Sequence, residues 1–69
     1  MIEREYLMAA GAALHGERYQ AALAADLGMS RQHLARILSG ERPALPEHVA
    51  KARKLLDARA TEIRALLAA

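Results

Sequence analysis

Between residues 20 and 39 the large apolar side chains fall at Leu23 and Leu27, then at Leu34, Ile37 and Leu38. Spacings of three and four put each set on one side of a helix, with polar residues filling the other side. Gly28 stands between the two sets, where a glycine ends a helix at positive φ with little steric cost, and Ser30 offers a hydroxyl to cap the helix that follows. The pattern predicts two short helices, residues 18–27 and 31–39, joined by the turn Gly28-Met29-Ser30 and packed face to face. Ala24 lies where they approach most closely, so a methyl is about all that fits, and Met29 folds inward as the apolar plug of the turn.

The flanking segments follow the same rules. Residues 2–14 predict a first helix with Leu7 and Leu14 inward and the Glu3 and Glu5 carboxylates near its electropositive end; Gly11 weakens it slightly. Gly16 and Glu17 form the connection, and Gly40 ends the helix that starts at Arg31. In the loop 40–46 two prolines restrict the backbone, and Pro46 suits the first turn of a fourth helix over residues 46–67. Val49, Leu56 and Ile63 recur every seven residues there, with Ala52, Ala60 and Leu67 between them, so one side is apolar for nearly its full length. At about 1.5 Å per residue this helix spans roughly 30 Å, more than a compact body of three short helices requires. Its far half calls for another partner. With no linker, repeat or biased segment in view, residues 1–69 read as one domain.

Composition narrows the fold class. A chain of 69 residues typically buries only about 60% of its unfolded surface, which makes a lone monomer marginal. Hydrophobic residues are 54% of the chain, but seventeen are alanine, there is no Trp or Phe, and Tyr6 and Tyr19 are the only aromatics, so core volume is scarce. Alanine favours helix, and the strand-favouring residues amount to one Val, one Thr and three Ile besides the two tyrosines. The expected fold is all-α, four helices with a long C-terminal one. Absence of cysteine removes disulfides and thiolate metal sites and fits an intracellular, cytoplasmic setting. The apolar stretch 6–14 is too short to span a bilayer and lacks a basic leader, so neither secretion nor a membrane partner is expected.

The formal charge of +2 is unevenly spread. Residues 1–17 set Glu3, Glu5 and Glu17 against Arg4. Residues 18–54 set Arg18, Arg31, Arg36, Arg42, Lys51, Arg53 and Lys54 against Asp26, Glu41 and Glu47, and the remainder balances. The positive excess brackets the two short helices, as a polyanion-binding segment requires. An α-helix fits the major groove of DNA, where Arg pairs with guanine O6 and N7 and Gln with adenine N6 and N7. Arg31 and Gln32 in the first turn of the second short helix are therefore expected base readers, and Arg36, one turn on, contacts a base or a flanking phosphate. Gln20, with the free amides that open the first short helix, suits a phosphate, Ser30 is a cap and a second phosphate donor, and Arg42 clamps the backbone on the far side unless it pairs with Glu41 or Glu47. Lys51, Arg53 and Lys54 add phosphate attraction or form a solvated face.

His15, His33 and His48 lack metal-site spacing, and Ser30 has no His and Asp arrangement around it, so no metal, cofactor or catalytic residue is expected. Tyr19 reads as an inter-helix filler, since single-strand binders stack bases on several aromatics. Beyond Lys54 the charges alternate as Asp57, Arg59, Glu62 and Arg64, which favours a partner helix over an anionic membrane for the last helix. Leu56, Ile63 and Leu67 are the expected homodimer interface.

The stretch 19–46, from Tyr-Gln-Ala-Ala-Leu-Ala-Ala-Asp-Leu-Gly-Met-Ser through Arg-Gln-His-Leu-Ala-Arg-Ile-Leu-Ser to Gly-Glu-Arg-Pro-Ala-Leu-Pro, resembles the Cro/repressor (XRE-type) helix-turn-helix proteins of phages and bacteria. The resemblance implies a lambda-repressor-like domain with its motif at residues 20–39 and a dimeric repressor of transcription. It also implies a phosphate contact at Gln20 and DNA contacts at Ser30, Arg31, Gln32 and Arg36. Four helices with a long last one are similar to the shortest phage-borne regulators, including the anti-CRISPR-associated repressors. The expected partner is a palindromic double-stranded operator, placing the protein on the nucleoid, and an inverted repeat just upstream of its own coding region is expected, as for an autoregulating repressor. The competing reading is an adapter or antitoxin-like module that binds a protein through its last helix and uses the motif only as a fold. The terminal Leu67-Ala68-Ala69 resembles the end of the ribosome-rescue degradation tag, although an ordinary helix end is the stronger reading of those residues.

Overall fold

A computed structural model describes residues 2–69 and places four α-helices and no strand among them: α1 (Glu3–His15), α2 (Gln20–Leu27), α3 (Arg31–Leu38) and α4 (Pro46–Ala68). Their apolar faces meet in one buried cluster formed by Leu7 and Ala10 of α1, Leu23, Ala24 and Leu27 of α2, Leu34 and Ile37 of α3, and Ala52 of α4. Tyr6, Tyr19, Met29, Leu38, Ala44 and Leu56 pack around it half-buried. Leucine and isoleucine supply the bulk, and the buried Ala10, Ala24 and Ala52 pack among them with little volume of their own.

The turn between α2 and α3 is built as its residues dictate. Gly28 adopts the left-handed conformation at φ 72°. Its N–H donates to the Ala25 carbonyl at 3.1 Å, and the Met29 N–H donates to the Ala24 carbonyl at 3.0 Å. These two bonds satisfy the last carbonyls of α2 in a Schellman arrangement, and Met29 packs back on the core beside them. Ser30, extended at ψ 155°, accepts the His33 N–H on its Oγ at 3.0 Å and so caps α3.

α2 begins at Gln20, two residues later than the apolar pattern predicts, because residues 17 and 18 are taken up in the turn that follows Gly16 at φ 82°. Tyr19 then lays its ring directly on Gly11 of α1, where a β-carbon would strike the ring. Gly11 is therefore more than a weak point in α1: its hydrogen is what lets the Tyr19 ring close the gap between α1 and the start of α2. The His15 imidazole meets the Asp26 carboxylate at 2.7 Å and ties the end of α1 to α2 a second time.

α4 opens with Pro46 and with the His48 Nδ1 accepting the Leu45 N–H at 3.1 Å. It runs along α1 in the same direction: the Arg53 guanidinium lies 5.6 Å from the Tyr6 ring centre, and farther on the Arg59 Nη1 donates to the Leu14 carbonyl at 3.0 Å, closing the end of α1. Twenty-three residues at about 1.5 Å each make α4 roughly 34 Å long, so it outruns α1 and stretches the molecule to 44 × 21 × 19 Å. Every residue after Ala60 is exposed.

Candidate nucleic-acid interface

Because Leu34 and Ile37 are almost completely buried, α3 cannot rotate about its axis without exposing them, and its opposite side is fixed toward solvent. That side presents Gln32, Ala35, Arg36 and Ser39, with Arg31 at its edge, all exposed. Gln32 and Arg36 sit one turn apart, so their side chains project from adjacent levels of one face. Among the described residues neither they nor Arg31 has an ion-pair or side-chain hydrogen-bond partner. Ala35 and Ser39 were not singled out in the sequence; they are the short side chains on this face, and the Ser39 hydroxyl turns inward to the Arg36 carbonyl at 3.0 Å. The only available signal was their spacing from Gln32 and Arg36.

The other expected contacts stand at the start of α2 and at the two ends of α3. Gln20 is the first residue of α2, half-buried, and no side chain caps the amides of that helix end. Those leading N–H groups have no helical partner, and the helix dipole adds positive potential there. Ser30 is exposed at the start of α3; capping uses only its acceptor capacity, so the hydroxyl hydrogen is left to donate outward. Arg42 is exposed beyond the other end of α3, where its backbone N–H donates to the Arg36 carbonyl at 3.1 Å. It pairs with neither Glu41 nor Glu47 among the described residues. Ser30 and Arg42 thus border the α3 face at its two ends, and Gln20 opens α2.

Other basic residues have structural duties that the sequence left open. Arg53 covers Tyr6, Arg59 closes α1, and the Lys51 ammonium lies near Gly28, where its charge complements the negative end of α2. No group of acidic residues and histidines among the described residues could hold a metal ion, and no helix is long and apolar enough to cross a membrane.

The three residues expected at a dimer interface are in unlike surroundings. Leu56 packs half-buried on its own core, so much of its surface is already used. Ile63 and Leu67 are 49% and 80% exposed, and Leu66, which the sevenfold spacing passed over, is 77% exposed beside them. Helical spacing places Ile63, Leu66 and Leu67 on the same side of α4 as Ala52 and Leu56, the side that packs on the body. The packing stripe simply continues past the end of α1 with nothing beneath it.

The helix-turn-helix family model matches residues 20–63, from the first residue of α2 through most of α4, and so extends well past the stretch 19–46 on which the resemblance was first visible. No curated protein and no solved structure matches the chain. The match covers well over half of the sequence and includes the Schellman turn, the capped α3 and its solvent-fixed polar face, and the chain therefore belongs to the XRE-type helix-turn-helix family of DNA-binding regulators.

Proposed function

We propose that the protein is one DNA-binding domain acting as a cytoplasmic, homodimeric transcriptional repressor that reads an inverted-repeat operator, its own promoter included, through the major groove. The observation that carries this reading is the α3 face: Gln32 and Arg36 exposed and unpaired on a helix locked by Leu34 and Ile37. Arg31, Gln32 and Arg36 contact bases, and the Ala35 methyl lets the helix approach a thymine methyl. Gln20, Ser30 and Arg42 hold phosphates on either side, which fixes the register of α3 in the groove without specifying sequence.

Dimerisation is supported by the uncovered end of α4. Ile63, Leu66 and Leu67 of one chain meet the same residues of a second copy, because a twofold contact matches a stripe with itself. Such a dimer presents two α3 helices to the same face of the duplex, so half-site centres lie about 10 to 10.5 base pairs apart or a multiple of that. Footprinting on the DNA upstream of the coding region tests the reading. Paired, equally protected half-sites at that spacing are expected, and a single unpaired half-site at saturation refutes the twofold operator. Absence of salt-dependent binding to random duplex would instead favour a protein adapter.

A further inference from the structure

A second basic feature lies beyond the C-terminal end of α3 and on a different helix. Ile2, Glu3 and Arg4 at the start of α1 face Ile37, Gly40, Arg42, Pro43 and Ala44 across an open cleft. Arg4 is half-buried there, its guanidinium lying over Gly40, whose φ of 89° favours glycine. The negative end of α3 helps to hold this cation. Yet among the described residues neither Arg4 nor Arg42 has an ion pair or a side-chain hydrogen bond, although Glu3 stands on the rim and Glu41 in the loop. Arg4 and Arg42 thus line one cleft with no anionic partner of their own among the described residues, so their donors are open to an incoming anion.

We propose that this cleft is a phosphate clamp in which Arg4, reaching from α1, joins Arg42 in holding one phosphodiester of the DNA strand that borders the groove occupied by α3. Arg42 is hydrogen-bonded through its backbone to Arg36 on the DNA-facing side, so the cleft begins where that face ends. A planar guanidinium binds phosphate oxygens in a bidentate fork, and the Arg4 guanidinium end lies over Gly40, at the mouth of the cleft that Arg42 also lines. The proposal rests on DNA binding by α3 and adds to it a residue from outside the region of the family match.

The test uses the full chain and a random-sequence 20-base-pair duplex, with binding isotherms from about 50 to 200 mM salt for the wild type, Arg4→Gln and Arg4→Lys. One released counterion contributes about 0.9 to the log-log slope, so over this fourfold range the wild type should lose about 3.5-fold more affinity than Arg4→Gln. Arg4→Lys should keep the wild-type slope while binding more weakly. Equal slopes for wild type and Arg4→Gln overturn the clamp and leave DNA binding intact, whereas a flat wild-type slope overturns DNA binding itself. If Arg4→Gln does not fold, the wild-type Arg4 Nε–H resonance decides: a shift and slowed exchange on adding duplex support the clamp, and an unmoved signal refutes it. Inorganic phosphate should displace the duplex no better than chloride at equal ionic strength. Stronger displacement from the wild type alone would assign the cleft to free phosphate and overturn the duplex contact.

Discussion

Replacing Gly11 by Ala separates local helix chemistry from tertiary packing, because the two predict opposite signs. In the interior of α1, glycine to alanine should stabilise the helix by about 1 kcal/mol through reduced backbone entropy. In the folded protein the new β-carbon would meet the Tyr19 ring, with Cγ and Cε1 both 2.8 Å away. Carbon atoms pack at about 3.5 to 4.0 Å, so the ring has to retreat by roughly 1 Å in a small core with little slack. Overpacking of that kind costs about 1 to 3 kcal/mol, and the depth of this overlap argues for the upper half of the range. The net expectation is a loss of about 1 to 2 kcal/mol, or a Tm lower by roughly 5 to 15 °C for a domain of this size. Thermal unfolding followed by circular dichroism at fixed protein concentration measures it. In a Tyr19→Leu background the sign should reverse and Gly11→Ala should stabilise, a non-additivity expected only of residues in contact. A higher Tm for Gly11→Ala in the wild-type background refutes the reasoning. Because Tyr19 immediately precedes Gln20, the displaced ring should also weaken binding to random duplex.

Arg31→Ala and Gln32→Ala should each cost about 1 to 3 kcal/mol on the cognate operator and relax preference at one base pair; an unchanged ratio of cognate to scrambled binding would remove α3 as the reading helix. Gln20→Ala and Arg42→Ala should weaken cognate and scrambled duplex by similar factors, and only Arg42→Ala should lower the salt slope, by about one unit. Ile63→Asp and Leu66→Asp should each shift the protein to monomer in sedimentation velocity and weaken operator binding, whereas a wild type that is monomeric and fully DNA-competent excludes the α4 interface. Ser30→Ala should lower stability by about 1 kcal/mol in urea unfolding through loss of the α3 cap, and no change would mean that the hydroxyl bond to His33 contributes nothing net.

Features set by a few consecutive residues were legible in the sequence. The Gly28 turn, the Ser30 cap, the Pro46 start and the inward positions Leu7, Leu23, Leu27, Leu34 and Ile37 each follow from local backbone preference or from a helical repeat, and each is found where it was expected. The outward position of Arg31, Gln32 and Arg36 follows equally, since fixing the buried side of a short helix fixes the other side. What the repeat could not show is where one helix ends up against another. Gly11 and Tyr19, His15 and Asp26, Arg4 and Gly40, and Arg59 and Leu14 come together only through packing, across separations of up to 45 residues, and no periodicity links them. For the same reason a single apolar side of α4 divided into two environments. Leu56 falls beside the core and is used there, whereas Ile63, Leu66 and Leu67 fall beyond the end of α1 and are left uncovered. Sequence determined which side of each helix is apolar; the lengths and directions of neighbouring helices determined how much of that side finds cover, because burial depends on what lies across the gap and not on the pattern alone.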